Sequence, residues 1–126
     1  MKLVLDAGAL LALERNDRAM WMRLKAAHLA GRDVVVHGGI LAQAWRGTGP
    51  REALLSIALE GIEVLPLDRA LGRAAGELLA LTRGSDAIDA ALALLAEDDD
   101  YILTSDPEDI TPLVEATGRH VEIIPV

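Results

Sequence analysis

The stretch SDAIDAALALLAEDDDYILTSDPED, residues 85–109, changes its pattern twice. It opens with Asp86 and Asp89, one helical turn apart, and then runs from 90 to 96 without a polar residue. An uninterrupted apolar run of this kind, behind an acidic start, reads as a buried helix. An acidic turn over 97–100 follows, then a strand over 101–103 that ends on Thr104, Ser105 and Asp106. A helix packed back along the next strand has its start beside that strand's far end. Asp89 and Asp106 are therefore expected to meet, although 17 positions separate them. A third acid, Asp6, closes the apolar run at the N-terminus. Three carboxylates converging on one place suit a hard divalent cation, which takes oxygen ligands and keeps waters.

Working outward, 126 residues fit a single domain, 1–126. Half the chain is apolar but only 2% is aromatic, so the core must be built from Leu, Val, Ile and Ala. No apolar run approaches the ~18 residues that a membrane span needs. The N-terminal run is interrupted by Asp6 and ended by Glu14 and Arg15, which argues against a signal peptide. The absence of cysteine rules out disulfides and thiolate zinc sites and suits a cytoplasmic protein. A net charge of −8 argues against a simple basic reader of nucleic acid. It leaves room for an enzyme acting on nucleic acid, since a carboxylate site is acidic until its cation loads.

Strands are expected over 2–5, 33–36, 63–65, 101–103 and 121–124, all buried in appearance. Helices are expected over 7–14, 18–30, 40–46, 51–60, 69–81, 89–96 and 110–117. Asp17 and Asp68 are caps, Gly31, Gly61 and Gly118 stops, and Pro50 suits a helix's first turn. Strands alternating with helices imply an α/β fold: a three-layer α/β/α sandwich around a five-stranded parallel sheet. In such sheets ligands bind beyond the carboxyl ends of the strands, where strand order reverses. Asp6 and Asp106 both lie just past strand ends. Adjacency of the first and fourth strands would set them across one crevice.

Each acid also has a plainer reading. An Asp at a helix start is a good N-cap, contributing about 1 kcal/mol, and this is the main reading for Asp86 and Asp109. Asp106 also suits a turn with Pro107. Asp89 and Asp6 are harder to explain so, because each sits in apolar surroundings. A buried carboxylate costs several kcal/mol unless it is paired or bound to a cation. Residues 97–100 read as a solvated corner. His28, His37 and His120 are not spaced as a zinc pair, and only His37, at a strand end, falls near the expected crevice. Gly38 and Gly39 read as a backbone turn, with no Walker pattern after them. Trp21 and Trp45 read as packing residues.

Four segments in order, LDAGALLALE (5–14), LAQAWRG (41–47), SDAIDAALALLA (85–96) and LTSDPEDI (103–110), resemble the PIN-domain ribonucleases, and among them the VapC-type toxins of toxin–antitoxin pairs. The resemblance implies a PIN-like five-stranded parallel sheet and a cluster of acids binding Mg²⁺ or Mn²⁺. It also implies hydrolysis of an RNA phosphodiester by a metal-activated water. Asp6 matches the family's first acid, Asp89 the third and Asp106 the fourth. Thr104 matches a small polar residue supporting the cluster, Asp86 an outer acid, and Arg46 a basic position. The implied partners are an RNA substrate, an antitoxin protein and a second copy in a homodimer. Two positions depart from the pattern. Gln43 stands where the second acid is usually Glu, and Gly8 where a Ser or Thr is common. A working metal-dependent endoribonuclease and a catalytically weak PIN-like module that binds RNA or protein are therefore both open. A receiver-type phosphoacceptor is disfavoured, because Asp6 stands alone and the middle strands end without an acid.

Overall fold

The computed structural model describes residues 1–50 and 52–126. Five strands, β1 (Leu3–Leu5), β2 (Val34–His37), β3 (Glu63–Leu65), β4 (Tyr101–Thr104) and β5 (Glu122–Pro125), form one parallel sheet in the order β3-β2-β1-β4-β5. β1 lies at its centre, with Val4 opposite Val35 on one side and Ile102 on the other. The chain builds outward from β1 to β3, then returns to place β4 on the other side of β1. The strand order thus reverses between β1 and β4, the adjacency expected from the sequence.

Seven helices connect the strands: α1 (Ala7–Glu14), α2 (Arg18–Leu29), α3 (Gly38–Ala44), α4 (Glu52–Leu59), α5 (Arg69–Thr82), α6 (Ala87–Leu95) and α7 (Pro107–Thr117). Right-handed crossovers put α1 to α4 on one face and α5 to α7 on the other. Most helix contacts divide the same way, α1 touching α2, α3 and α4 while α5, α6 and α7 touch one another, and α3 also reaches α6. The result is the three-layer α/β/α sandwich. Its core is aliphatic, with Leu5, Leu10, Leu13, Leu92, Ile102 and Leu103 almost wholly excluded from solvent. Ala90, Ala91 and Ala93 of α6 are as deeply buried. Their small side chains let α6 lie close over β1 and β2, carrying its acidic start to the carboxyl end of the sheet.

Four local expectations are corrected. The strands are not equally buried: β1 and β2 are, whereas the edge strands β3 and β5 are mostly exposed or half-exposed, as a polar edge residue such as Glu63 or Glu122 allows. Gly38 and Gly39 are not a turn before α3 but its first two residues, capped by His37. α7 begins at Pro107 rather than at 110, because proline's fixed φ suits a first helical position. α4 ends at Leu59, and its expected start at Arg51 lies outside the described residues. Among the described residues no helix is long and apolar enough to cross a membrane.

Candidate metal centre

Asp6 follows β1 directly and caps α1, and its carboxylate is held from three directions. Oδ1 accepts the Ala9 N–H at 2.8 Å. Oδ2 accepts the Thr104 hydroxyl at 2.6 Å and the Ser105 N–H at 3.0 Å. Only 6% of Asp6 is exposed, yet with three donors on two oxygens it still has lone-pair capacity left. Thr104, the buried last residue of β4, also accepts the Asp106 N–H at 2.9 Å. Its hydroxyl is thus directional, receiving from Asp106 and giving to Asp6.

Asp89 occupies the first turn of α6. Asp86 caps that helix, accepting the Asp89 N–H at 3.0 Å, so the capping expected of Asp86 is present. The Asp89 carboxyl is pushed up to about 6, first by burial and then by the charges of Asp86, Asp6 and Asp109, with a hydrogen bond to Asp86 adding to it. The charge of Asp6 thus reaches Asp89.

Asp106 is less tied. It precedes α7 but makes no side-chain cap bond, and its carboxylate meets only the Ser105 hydroxyl at 3.5 Å, the outer limit of a hydrogen bond. Asp106 does not raise Asp89; Asp109 does. The sequence reads Asp109 as a helix cap. In the structure it sits in the first turn of α7, its own N–H bonded to the Asp106 carbonyl. Its side chain lines, with Asp86, Asp89 and Glu108, an open cleft of about 440 Å³ between the start of α6 and the start of α7. The clue in the sequence was Pro107. A helix starting there spaces Asp106 and Asp109 one turn apart, as Asp86 and Asp89 are.

The two remaining residues make no bond to this group among the described residues. Gln43 is exposed on α3, without a hydrogen bond among the described residues. Arg46 turns back on its own helix, Nη1 donating to the carbonyls of Ala42 at 3.1 Å and Trp45 at 2.9 Å. Its guanidinium closes the end of α3 and makes no ion pair among the described residues. Gly8 has a physical reason. A Cβ there would run into the Ser105 hydroxyl and come within 2.5 Å of Ser105 Cβ, so a serine on the β4 side fills the space a side chain at position 8 would take.

The donor set suits a hard cation. It consists of carboxylate oxygens, and the ion pairs among the described residues, Lys2 with Glu97 and Asp100, lie elsewhere. No three acidic or imidazole groups among the described residues are drawn tightly enough to grip an ion as they stand.

No family model matches the sequence, and no curated protein matches it. Among solved structures, the chain is similar to one in the crystal structure of VapBC2 from Rickettsia felis bound to a DNA fragment from their promoter. The TM-score is 0.71 over 98% of each chain, with 14% identity. At that identity the likeness is one of fold, a three-layer sandwich around a five-stranded parallel sheet.

Proposed function

We propose that this chain is a divalent-cation-dependent endoribonuclease, hydrolysing RNA phosphodiester bonds as the toxin of a toxin–antitoxin pair. What supports this is that the charges of Asp86, Asp6 and Asp109 all act on Asp89 near the β1/β4 reversal, with no basic side chain paired to any of the four among the described residues. Its fold likeness to a chain of a VapBC assembly supports the same reading. Asp6, Asp89 and Asp106 would hold Mg²⁺ or Mn²⁺, with Asp109 as a fourth oxygen donor.

A cation bound there supplies a polarised water and offsets charge on the phosphate. The chain's own residues set the geometry. Thr104 and the Ser105 N–H fix one oxygen of Asp6, leaving the carboxylate rigid. Asp86 fixes the turn that bears Asp89. Asp106 and Asp109, one helical turn apart on the rim, approach from the α7 side, and the open cleft next to them admits an extended strand. An antitoxin protein is the proposed partner, and an apolar groove of about 580 Å³ between α2 and α4, lined by Trp21, Leu24, Leu29 and Ile57, is its candidate seat. A homodimer in the cytoplasm completes the proposal.

The position of Gln43 favours a second reading. It is exposed and uncharged, so α3 brings no carboxylate to the group. A catalytically weak module that binds RNA or protein would follow. Cleavage of a mixed RNA by the purified protein with Mn²⁺, with Mg²⁺ and with chelator separates the two. Metal-dependent cleavage that disappears in Asp89→Asn establishes the nuclease. No cleavage by the native chain, but cleavage by Gln43→Glu, establishes the weak module.

A further inference from the structure

His37 is wholly buried at the end of β2, and both its ring nitrogens are engaged. Nδ1 faces the Gly39 N–H at 3.0 Å and Nε2 faces the Ile88 carbonyl at 3.0 Å. The first partner can only donate and the second can only accept. One form satisfies both: a neutral ring with its proton on Nε2. Burial favours that neutral ring by lowering its basicity, although the bond to Ile88 works the other way.

The Ile88 carbonyl belongs to the first turn of α6, one residue before Asp89. As a helical carbonyl it already serves the ladder of its own helix, so His37 takes its second lone pair and ties the turn sideways. The Asp86 cap, by contrast, holds that turn only to itself. The joint is also closely fitted. A Cβ at Gly39 would lie 2.5 Å from Ile88 Cδ1 and 2.9 Å from His37 Cε1, so a larger residue there would press on both the tip of Ile88 and the ring.

We propose that His37 is the positioning residue of the carboxylate site: its Nε2–H fixes the first turn of α6, and so Asp89, relative to the sheet end that carries Asp6. The placement stands on the hydrogen bonds alone, whereas its consequence for cation binding rests on the proposed function.

The test uses the full chain. Ring ¹⁵N spectra at neutral pH are expected to show the Nε2–H tautomer, and the Nδ1–H tautomer would overturn the proposal. His37→Asn keeps a capping oxygen for Gly39 but cannot reach Ile88. Amide hydrogen exchange at Asp89 and Ala90 is expected to quicken about five- to ten-fold, while that at Leu10 and Leu13 of α1 stays within about two-fold. Mn²⁺ affinity, measured by calorimetry, is expected to fall by a similar factor. Equal acceleration in α1 and α6, or none in either, would reduce His37 to a packing residue. Should His37→Asn not fold, Gly39→Ala displaces Ile88 from the other side and must give the same localised signature. If the native chain takes up no Mn²⁺ the proposed function fails, and the exchange data still decide the role of His37.

Discussion

The Thr104 hydroxyl donates to Asp6 Oδ2 at 2.6 Å, joining the ends of the two strands between which the sheet reverses. Because the same oxygen accepts the Asp106 N–H, one buried atom sets both the orientation of Asp6 and the exit of the chain towards α7.

Thr104→Val keeps the shape and removes both bonds. It leaves a carboxylate oxygen short of one donor and an N–H without its acceptor, so a loss of about 1–3 kcal/mol is expected. Urea denaturation measures it. Thr104→Ser, which restores the hydroxyl, should recover most of the difference.

Asp89→Asn should stabilise the folded chain in the absence of divalent cations. Folded, Asp89 keeps its proton up to about pH 6; unfolded, it gives it up around its ordinary 3.8. Between those values the folded state binds more protons, so this group lowers stability as pH rises and exerts its full penalty above about 6. Allowing for the solvent that reaches the side chain, the gain at neutral pH is on the order of 1 kcal/mol, vanishing below the ordinary 3.8. His37 runs the opposite way: its basicity is lowered from 6.5, so its contribution is whole above 6.5 and declines as pH falls below it. Thermal unfolding of both proteins across this range would show the curves diverging above about pH 4. Parallel curves would mean that Asp89 does not carry the raised value.

Asp109→Asn removes one of the charges acting on Asp89, whose pKa should then move down from about 6 towards its ordinary 3.8. Carboxyl ¹³C titration reads this directly. The same substitution should weaken Mn²⁺ binding, whereas Glu97→Gln, on the far corner with Lys2, should leave it unchanged.

Gly8→Ala should destabilise by about 1–3 kcal/mol, the usual range for overpacking. Ser105→Gly, which removes the side chain the new Cβ would meet, should restore most of the loss in the double variant. Independent, additive effects would show that Gly8 and Ser105 do not share that space.

Much of this arrangement was legible in the chain because it depends on local alternation and on strand ends. The apolar run of α6, the position of Asp6 after LVL and the carboxyl-end rule together imply that Asp6 and Asp89 share one end of the sheet. Asp109 was missed because a cap reading satisfied it locally, and only the helix start at Pro107 turns it towards Asp89. Arg46 and Gln43 show the limit from the other side. Whether a side chain near the end of a short helix turns to a carboxylate, to its own carbonyls or to solvent depends on rotamers and neighbours that a sequence pattern does not encode. The tie between His37 and Ile88 spans three helices and a strand, with no spacing signal to announce it.

The bond between Thr104 and Asp6 also spans 98 positions of the chain. Contacts so distant in sequence form late, after the loops between them have closed. During synthesis Asp6 emerges among the first residues, yet it waits for β4 before its hydroxyl donor exists. Chains that end before that strand therefore carry Asp6 without its hydroxyl donor, and the orientation of this acid is set only when the last third of the sequence is in place.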